Sequence, residues 1–421
     1  MRRDDVLKVM TFSLRVGEEM LESAVATSDV EQVMRRLTHA YDLPGCEVSV
    51  TLNVITLSYV DPYEGPLSMF RVVDIDEPRY DEVVALDTLS RRAESGELSI
   101  DEATAELVRI EQSANHHPFP VTLAAAMASV AGWVVFTGGG FVGATAGMVA
   151  ALLVEVVVRP LARPRLPVAF VTLCSAVVAA GVPTFYAWLE LPIALTPAIV
   201  GALIPLLPGG ALVASVSDGL SGAPLSSMAK GLQATLTAVA VAMGALVVLS
   251  LGEQLQVVAP LEAVPATPMV AFFAALIGVS GFAVARSLPW RMVPGVMLVT
   301  GVTWGVAQVG LFEGGTVPVA TFVAAVSMGL VGQLVARLQR TTAVIHTTTA
   351  VYVLVPGVAF YLSMLAIAQG ATEAGTELLV TTIGVAIAIA AGIALGVAIG
   401  RGVPAPRPRV RVWARPVRRR G

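Results

Sequence analysis

From Val121 onward the chain is a series of ten apolar runs, each bounded by a short polar cluster: about 121–137, 140–158, 167–187, 193–214, 229–251, 269–285, 292–310, 317–336, 343–367 and 378–399. At about 1.5 Å rise per residue, runs of this length cross roughly 30 Å of hydrocarbon with some tilt, so each predicts a transmembrane helix. The first 118 residues follow other periods. Residues 5–26 and 29–42 have helical spacing, with Ser28 and Asp29 as cap candidates and Glu31 in the first turn of the second helix. Glu47 to Val54 alternates polar and apolar residues, and the runs 55–60 and 67–74 flank the turn-rich Asp61-Pro-Tyr-Glu-Gly-Pro66, which predicts a three-stranded antiparallel meander. Helices over 79–95 and 99–114 close this domain, parted by Gly96 and by Ser99-Ile-Asp-Glu102, the spacing of a capping box.

The ten runs also repeat. A shift of 148 residues lays Pro120-Val-Thr-Leu-Ala-Ala-Ala on Pro268-Met-Val-Ala-Phe-Phe-Ala, and the five run starts of each half are offset by 148, 152, 150, 150 and 149 residues. Because five is odd, tandem five-span units enter the bilayer from opposite sides, the plan of many secondary transporters. The expected fold is an α-helical polytopic membrane protein with ten transmembrane helices as two inverted five-helix repeats, preceded by a small soluble α+β domain. Its expected parts are a cytoplasmic domain over 1–118, a first repeat over 119–260, a second over 261–400 and an Arg-rich cytoplasmic tail over 401–421.

Composition excludes a single soluble globule: 55% of residues are hydrophobic, 14% are charged and the mean hydropathy is +0.76, where soluble domains carry about 25% charged residues. Residues 1–119 hold 11 Lys+Arg and 23 Asp+Glu, whereas residues 120–421 hold 16 and 8. With the amino terminus inside, all 16 cations after residue 120 fall on cytoplasmic loops or the tail, and the external loops carry Glu190, Glu253, Glu262, Glu313, Glu373 and Glu377 without Lys or Arg. That asymmetry places both termini in the cytoplasm. The start of the chain lacks an apolar stretch followed by a small-residue cleavage site, so no secretory signal is expected. Cys46 and Cys174 give no disulfide or CxxC pattern and read as packing residues.

Candidate chemistry concentrates where helices should break. Pro205-Leu-Leu-Pro208-Gly209-Gly210 in the fourth run and Val355-Pro356-Gly357 in the ninth interrupt matching positions of the two halves. Proline removes a backbone donor, and paired interruptions mark a midplane substrate site, since unwound carbonyls and half-helix ends can hold an ion or a carboxylate. A tolerated kink is the structural alternative. Asp218, in Ser215-Val-Ser-Asp-Gly-Leu-Ser-Gly222, reads either as a ligand for a substrate ammonium or a proton, or as a solvated loop residue. Ser215, Ser217 and Ser221 could add hydroxyl contacts or bond their own backbone. Glu155 lies four residues before Arg159, the spacing of a helical ion pair. His346 and Thr347, in Thr341-Thr-Ala-Val-Ile-His-Thr-Thr-Thr349, offer a proton relay or a histidine bonded to a neighbouring helix. Gly138-Gly-Gly-Phe-Val-Gly143 matches GxGxxG but opens a membrane helix and continues as Gly139, Gly143 and Gly147, the spacing of close helix packing. His116-His117 has no Cys or carboxylate at ligand spacing, so no metal is expected, and the chain has no Walker A lysine, HExxH or GxSxG. No cofactor, nucleic acid or catalytic residue is expected, and an ion gradient is the expected energy source. The arginine tail either binds anionic lipid or serves only to enforce the topology.

The acidic domain resembles the amino-terminal region of the bacterial threonine/serine exporter family in Gly17-Glu-Glu-Met-Leu-Glu-Ser-Ala24, Val30-Glu-Gln-Val33, Val48-Ser-Val-Thr51, Leu89-Ser-Arg-Arg92 and Gly96-Glu-Leu-Ser-Ile-Asp-Glu-Ala103. Pro208-Gly209 and Asp218-Gly-Leu-Ser-Gly222 are similar to that family's pattern after its fourth span, whereas Ala24-Val25 departs from the Gly-Ala pair it leads one to expect. The resemblance implies a multi-pass protein of the bacterial cytoplasmic membrane that exports threonine and serine, driven by the proton-motive force, with protons, lipid and a small amino acid as partners. Association of several copies is compatible with it. Some members split the two five-span units between polypeptides and are associated with dicarboxylate export, which keeps a succinate-like cargo as an alternative. With Lys230 and every later Lys and Arg assigned to cytoplasmic loops or the tail, no cation is expected within the membrane, and a dianion site is the less expected one. A membrane-anchored ligand sensor or enzyme is the third reading.

Overall fold

The computed structural model describes residues 3–23, 25–61, 65–73, 79–113, 117–162, 167–220, 222–257, 266–355, 357–368 and 370–402. The amino-terminal region runs α1 (Arg3–Glu22), α2 (Thr27–Ala40), β1 (Cys46–Thr51), β2 (Val54–Asp61), β3 (Gly65–Val72), α3 (Tyr80–Glu94) and α4 (Ile100–Glu111). The strands form the expected antiparallel meander in the order β1-β2-β3, with Val48 opposite Leu57 and Leu57 opposite Met69. Alternation puts Val48, Val50, Ile55 and Leu57 on the face that meets Met10, Leu14, Met34, Leu37 and Leu89 from the helices, all of them buried in one core. The capping box at α4 forms as its spacing predicts: Ser99 Oγ accepts the Glu102 N–H, and the Glu102 carboxylate accepts the Ser99 N–H at 2.9 Å. At α2 the outcome differs from the expected Ser28 or Asp29 cap. The N-cap is Ala26, which has no side-chain acceptor.

Among the described residues eight apolar stretches are long enough to cross a membrane: α5 (Phe119–Phe136), α6 (Gly140–Leu153) with its extension α7 (Arg159–Ala162), α8 (Val168–Trp188), and the stretches Pro224–Gln254, Pro268–Ala285, Trp290–Phe312, Val317–Gln339 and Thr372–Gly402. After α8 lie the short α9 (Leu195–Leu203), ending in a 3-10 turn at Ile204–Leu206, and α10 (Gly209–Leu220), bent 50° from it. Counted as one span, this pair makes a ninth among the described residues. Then come α11 (Pro224–Gln254), α12 (Pro268–Ala285), α13 (Val293–Phe312) and α14 (Val317–Gln339). The run 343–367 is not one helix: α15 (Ala343–Ala350) ends in a 3-10 turn at Val351–Val353 before α16 (Gly357–Ala368), and α17 (Thr372–Gly402) follows. Both interruptions fall where the Pro and Gly residues lie, because a missing N–H ends the α pattern and glycine accepts the turn. Pro356 itself, like Ser221 and the tail from 403, lies outside the described residues.

One packing contact is made twice. A Cβ on Gly244 of α11 would meet Ala176 Cβ at 2.7 Å, the Leu173 carbonyl oxygen at 2.7 Å and the Val177 nitrogen at 3.1 Å on α8. On Gly392 of α17 it would meet Ala325 Cβ, the Phe322 carbonyl oxygen and the Val326 nitrogen of α14 at the same three distances. Only glycine lets these backbones approach so closely. The glycines of the GxGxxG stretch likewise pack on helix: Cβ atoms on Gly139, Gly143 and Gly147 would come within 2.4, 3.1 and 3.0 Å of Val134 or Val130.

The amino-terminal region is docked on one end of the bundle. Tyr80 donates its N–H to the Arg286 carbonyl at 3.0 Å, Arg91 its guanidinium to the Thr341 carbonyl at 3.1 Å, and Leu52 its N–H to Ser226 Oγ at 3.0 Å. Arg401 lies 3.5 Å from the Asp29 carboxylate. Every one of these membrane-side partners belongs to the end that the charge pattern assigns to the cytoplasm.

Candidate functional site

The two interruptions meet. A Cβ on Gly209 would touch Val351 at 3.2 Å and Val355 at 3.4 Å, and the Tyr352 hydroxyl donates to the Leu207 carbonyl at 3.4 Å. Beneath them, toward the amino-terminal region, lies a cavity of 740 Å³. Pro205, Pro208, Gly210 and Tyr352 line it at the breaks, Thr172, Ser175, Gln233, Thr237 and Thr348 add polar groups, and Leu21, Val25, Tyr80 and Val83 of the amino-terminal region complete the wall. The Tyr80 hydroxyl lies 3.4 Å from Thr348 Oγ1. Burial lifts the Tyr80 phenol above its ordinary range, so it remains a neutral hydrogen-bonding group there.

Three cations reach the cavity: Arg159, Lys230 and Arg286. No carboxylate is among its described lining residues. The expectation of a membrane region without Lys or Arg is thus corrected, because α11 starts at Pro224, five residues before its apolar run, and carries Lys230 into the bundle. Lys230 Nζ sits 2.8 Å from Asp218 Oδ2 as a charge pair without hydrogen-bond alignment, with the two side chains 10% and 0% exposed. Asp218 is therefore neither isolated nor in a solvated loop. It lies inside α10, which continues to Leu220, and the α10–α11 hairpin brings it to its partner. Its other oxygen accepts the Ser28 N–H at 3.4 Å.

The remaining predicted residues divide. Ser215, buried next to this pair, donates to the Ser227 carbonyl at 2.7 Å and so ties α10 to α11. Glu155 pairs with Arg159 at 3.4 Å as its spacing predicts, inside a π turn at Val154–Val158, and both border a separate cavity of 60 Å³ beside Arg286. His346 and Thr347 are buried and away from the large cavity: His346 Nε2 meets Gln339 Oε1 at 2.8 Å, and Thr347 donates to the Ala343 carbonyl at 3.1 Å. Gly357 opens α16. His117 is buried against the Leu288 carbonyl at 2.9 Å. Lys230, Tyr80 and Thr348 escaped the sequence reading, although Lys230 is one of only two lysines in the chain.

A bundle of membrane-length helices with paired interruptions facing a largely apolar cavity that carries a few polar and cationic groups is the arrangement of a membrane transporter. The comparisons name the kind. Residues 11–252 match the family model described as "Putative threonine/serine exporter", and residues 271–399 match a second, "Threonine/Serine exporter, ThrE". The chain belongs to the threonine/serine exporter family, a family of multi-pass membrane transporters and not of enzymes. It is 28% identical to the "Threonine/serine exporter" of Corynebacterium glutamicum over 90% of this chain and 80% of that one. It is 27% identical to the "Probable threonine/serine exporter" of Mycobacterium tuberculosis over 88% of this chain and 73% of that one. No solved structure matches the chain.

Proposed function

We propose that this protein exports threonine and serine from the cytoplasm, and that the 740 Å³ cavity is its cytoplasm-facing substrate chamber. The Lys230–Asp218 pair on its edge carries the reading. A zwitterionic amino acid entering between the two gives its carboxylate to Lys230 and its ammonium to Asp218, so neither buried charge is stranded when the pair opens. Thr348, Thr172 and Ser175 offer partners for a side-chain hydroxyl.

The repeated Gly244 and Gly392 contacts and the matching short-helix, 3-10, short-helix sequences of α9–α10 and α15–α16 support ten spans built as two inverted repeats. Alternating access follows by rocking one repeat against the other. The docked domain, on the cation-rich end, supports cytoplasmic termini in a bacterial inner membrane. Drive by the proton-motive force follows if Asp218 holds the substrate ammonium outward and a proton on the return, since one carboxylate cannot hold both. Asp218→Asn then lowers efflux from amino-acid-loaded cells at unchanged protein level. Undiminished efflux removes Asp218 from the mechanism.

The three cations on the chamber wall favour a second reading, export of a dicarboxylate. In that case labelled succinate, and not threonine, exchanges through the reconstituted protein.

A further inference from the structure

Part of the chamber wall is soluble domain rather than membrane helix, and the domain is fastened at the charge pair itself. The first N–H groups of a helix need acceptors, and a carboxylate there is favoured by the backbone dipole. The Ala26 carbonyl accepts the Asp29 and Val30 N–H groups, but Ala26 has no side-chain acceptor for the Ser28 N–H, and Asp218 of α10 supplies one from across the seam. Asp218 thus serves two partners at once: Oδ1 caps α2 of the domain, and Oδ2 neutralises the cation on the chamber wall. Arg401 holds Asp29 in the same first turn of α2. Tyr80, Arg91 and Leu52 fasten the rest of the domain by hydrogen bonds to Arg286, Thr341 and Ser226.

We propose that the soluble domain is an autoinhibitory latch on the cytoplasmic side of the chamber, and that substrate and domain compete for Asp218. Docked, the domain occupies the carboxylate that the substrate ammonium needs and closes one wall of the chamber. As cytoplasmic amino acid rises, its ammonium, with three donors to offer, displaces the single Ser28 N–H while its carboxylate takes Lys230. The cap of α2 is lost and the domain stays undocked while the repeats move. A dianion can take Lys230 but cannot displace Ser28, so the latch answers only to substrates bearing an ammonium. Export consequently switches on above a threshold of substrate instead of draining the cell at low concentration. The proposal rests on the exporter reading above and adds regulation to that same site.

A cross-link tests it in the full-length protein in inside-out vesicles, where the cytoplasmic face is accessible. Leu52→Cys with Ser226→Cys places two thiols across the docking contact, and the parent, with its own Cys46 and Cys174, is the oxidation control. Expected is threonine transport when the pair is reduced, its loss on oxidation to the disulfide, and its retention when a long flexible bis-maleimide joins the same pair. Separately, Arg91→Gln, which removes one docking bond outside the chamber, lowers the threonine concentration for half-maximal transport several-fold at unchanged maximal rate, because less of the protein is held in the closed form. Equal transport by oxidised and reduced protein overturns the latch and leaves the exporter reading standing. No threonine transport by the parent itself overturns the exporter reading, and the latch with it.

Discussion

Replacing Lys230 by methionine isolates the charge pair at the chamber edge. The change keeps most of the aliphatic stem and removes the ammonium, leaving the Asp218 carboxylate at 0% side-chain exposure with the Ser28 N–H at 3.4 Å as a hydrogen-bond donor but no cation beside it. Removing one member of a buried pair costs about 3–5 kcal/mol, because the other charge is left uncompensated in a low-dielectric site. The double variant Lys230→Met, Asp218→Asn has no such charge, so its stability returns to within about 1–2 kcal/mol of the parent, the residue being the weakened cap on α2. Thermal or denaturant unfolding of the purified protein in detergent reads the first quantity, and efflux from reconstituted vesicles reads the second. The single variant is strongly destabilised, whereas the double variant is folded and transport-deficient. A single variant as stable as the parent refutes the buried pair. A double variant that moves threonine at the parent rate refutes the pair as the substrate site.

Other outcomes follow from other contacts. Gly201→Ala pushes a Cβ to 2.4 Å from Val134 Cα and 2.6 Å from its nitrogen; backbone cannot give way cheaply, so stability falls by about 1–3 kcal/mol. Gly210→Ala, with nothing within 4 Å of the new atom, is the unfolding control. In the amino-terminal region, burial and then the neighbouring Glu82 raise the Glu19 carboxyl to about 8. A raised carboxyl pKa favours the protonated folded form, so the stability contributed by Glu19 is fully present below about pH 4.5 and is lost as pH rises toward 8. Glu19→Gln flattens that decline and makes the variant the more stable protein above pH 8, which melting curves across the range check. Ser99→Ala removes the capping box of α4 and costs about 1 kcal/mol, measurable by the same melts.

Local chemistry was legible in the sequence and tertiary pairing was not. The meander, the Ser99 box and the Glu155–Arg159 pair depend on residues a few positions apart, and each formed as its spacing predicts. The interruptions were legible because proline and glycine act on their own helix. Among Gly and Ser, Asp218 reads equally as a ligand and as a solvated loop residue; the fold rules out the loop by continuing α10 to Leu220 and burying the carboxylate beside Lys230 of α11. Lys230 lies at the edge of an apolar run, where it reads as a loop cation; a helix that begins at Pro224 turns it inward. The cap of α2 could not be found in the sequence, since its acceptor lies 190 residues away on another domain. Tyr80 escaped for the same reason: its role depends on Thr348 and Arg286, which only the docked domain brings near.

Counterflow in proteoliposomes tests the central claim most directly. With unlabelled amino acid trapped inside, threonine and serine drive uptake of labelled threonine while succinate does not, and an imposed pH gradient converts exchange into net transport. Exchange of labelled succinate without exchange of threonine would contradict the assignment of the Lys230–Asp218 pair to a zwitterion.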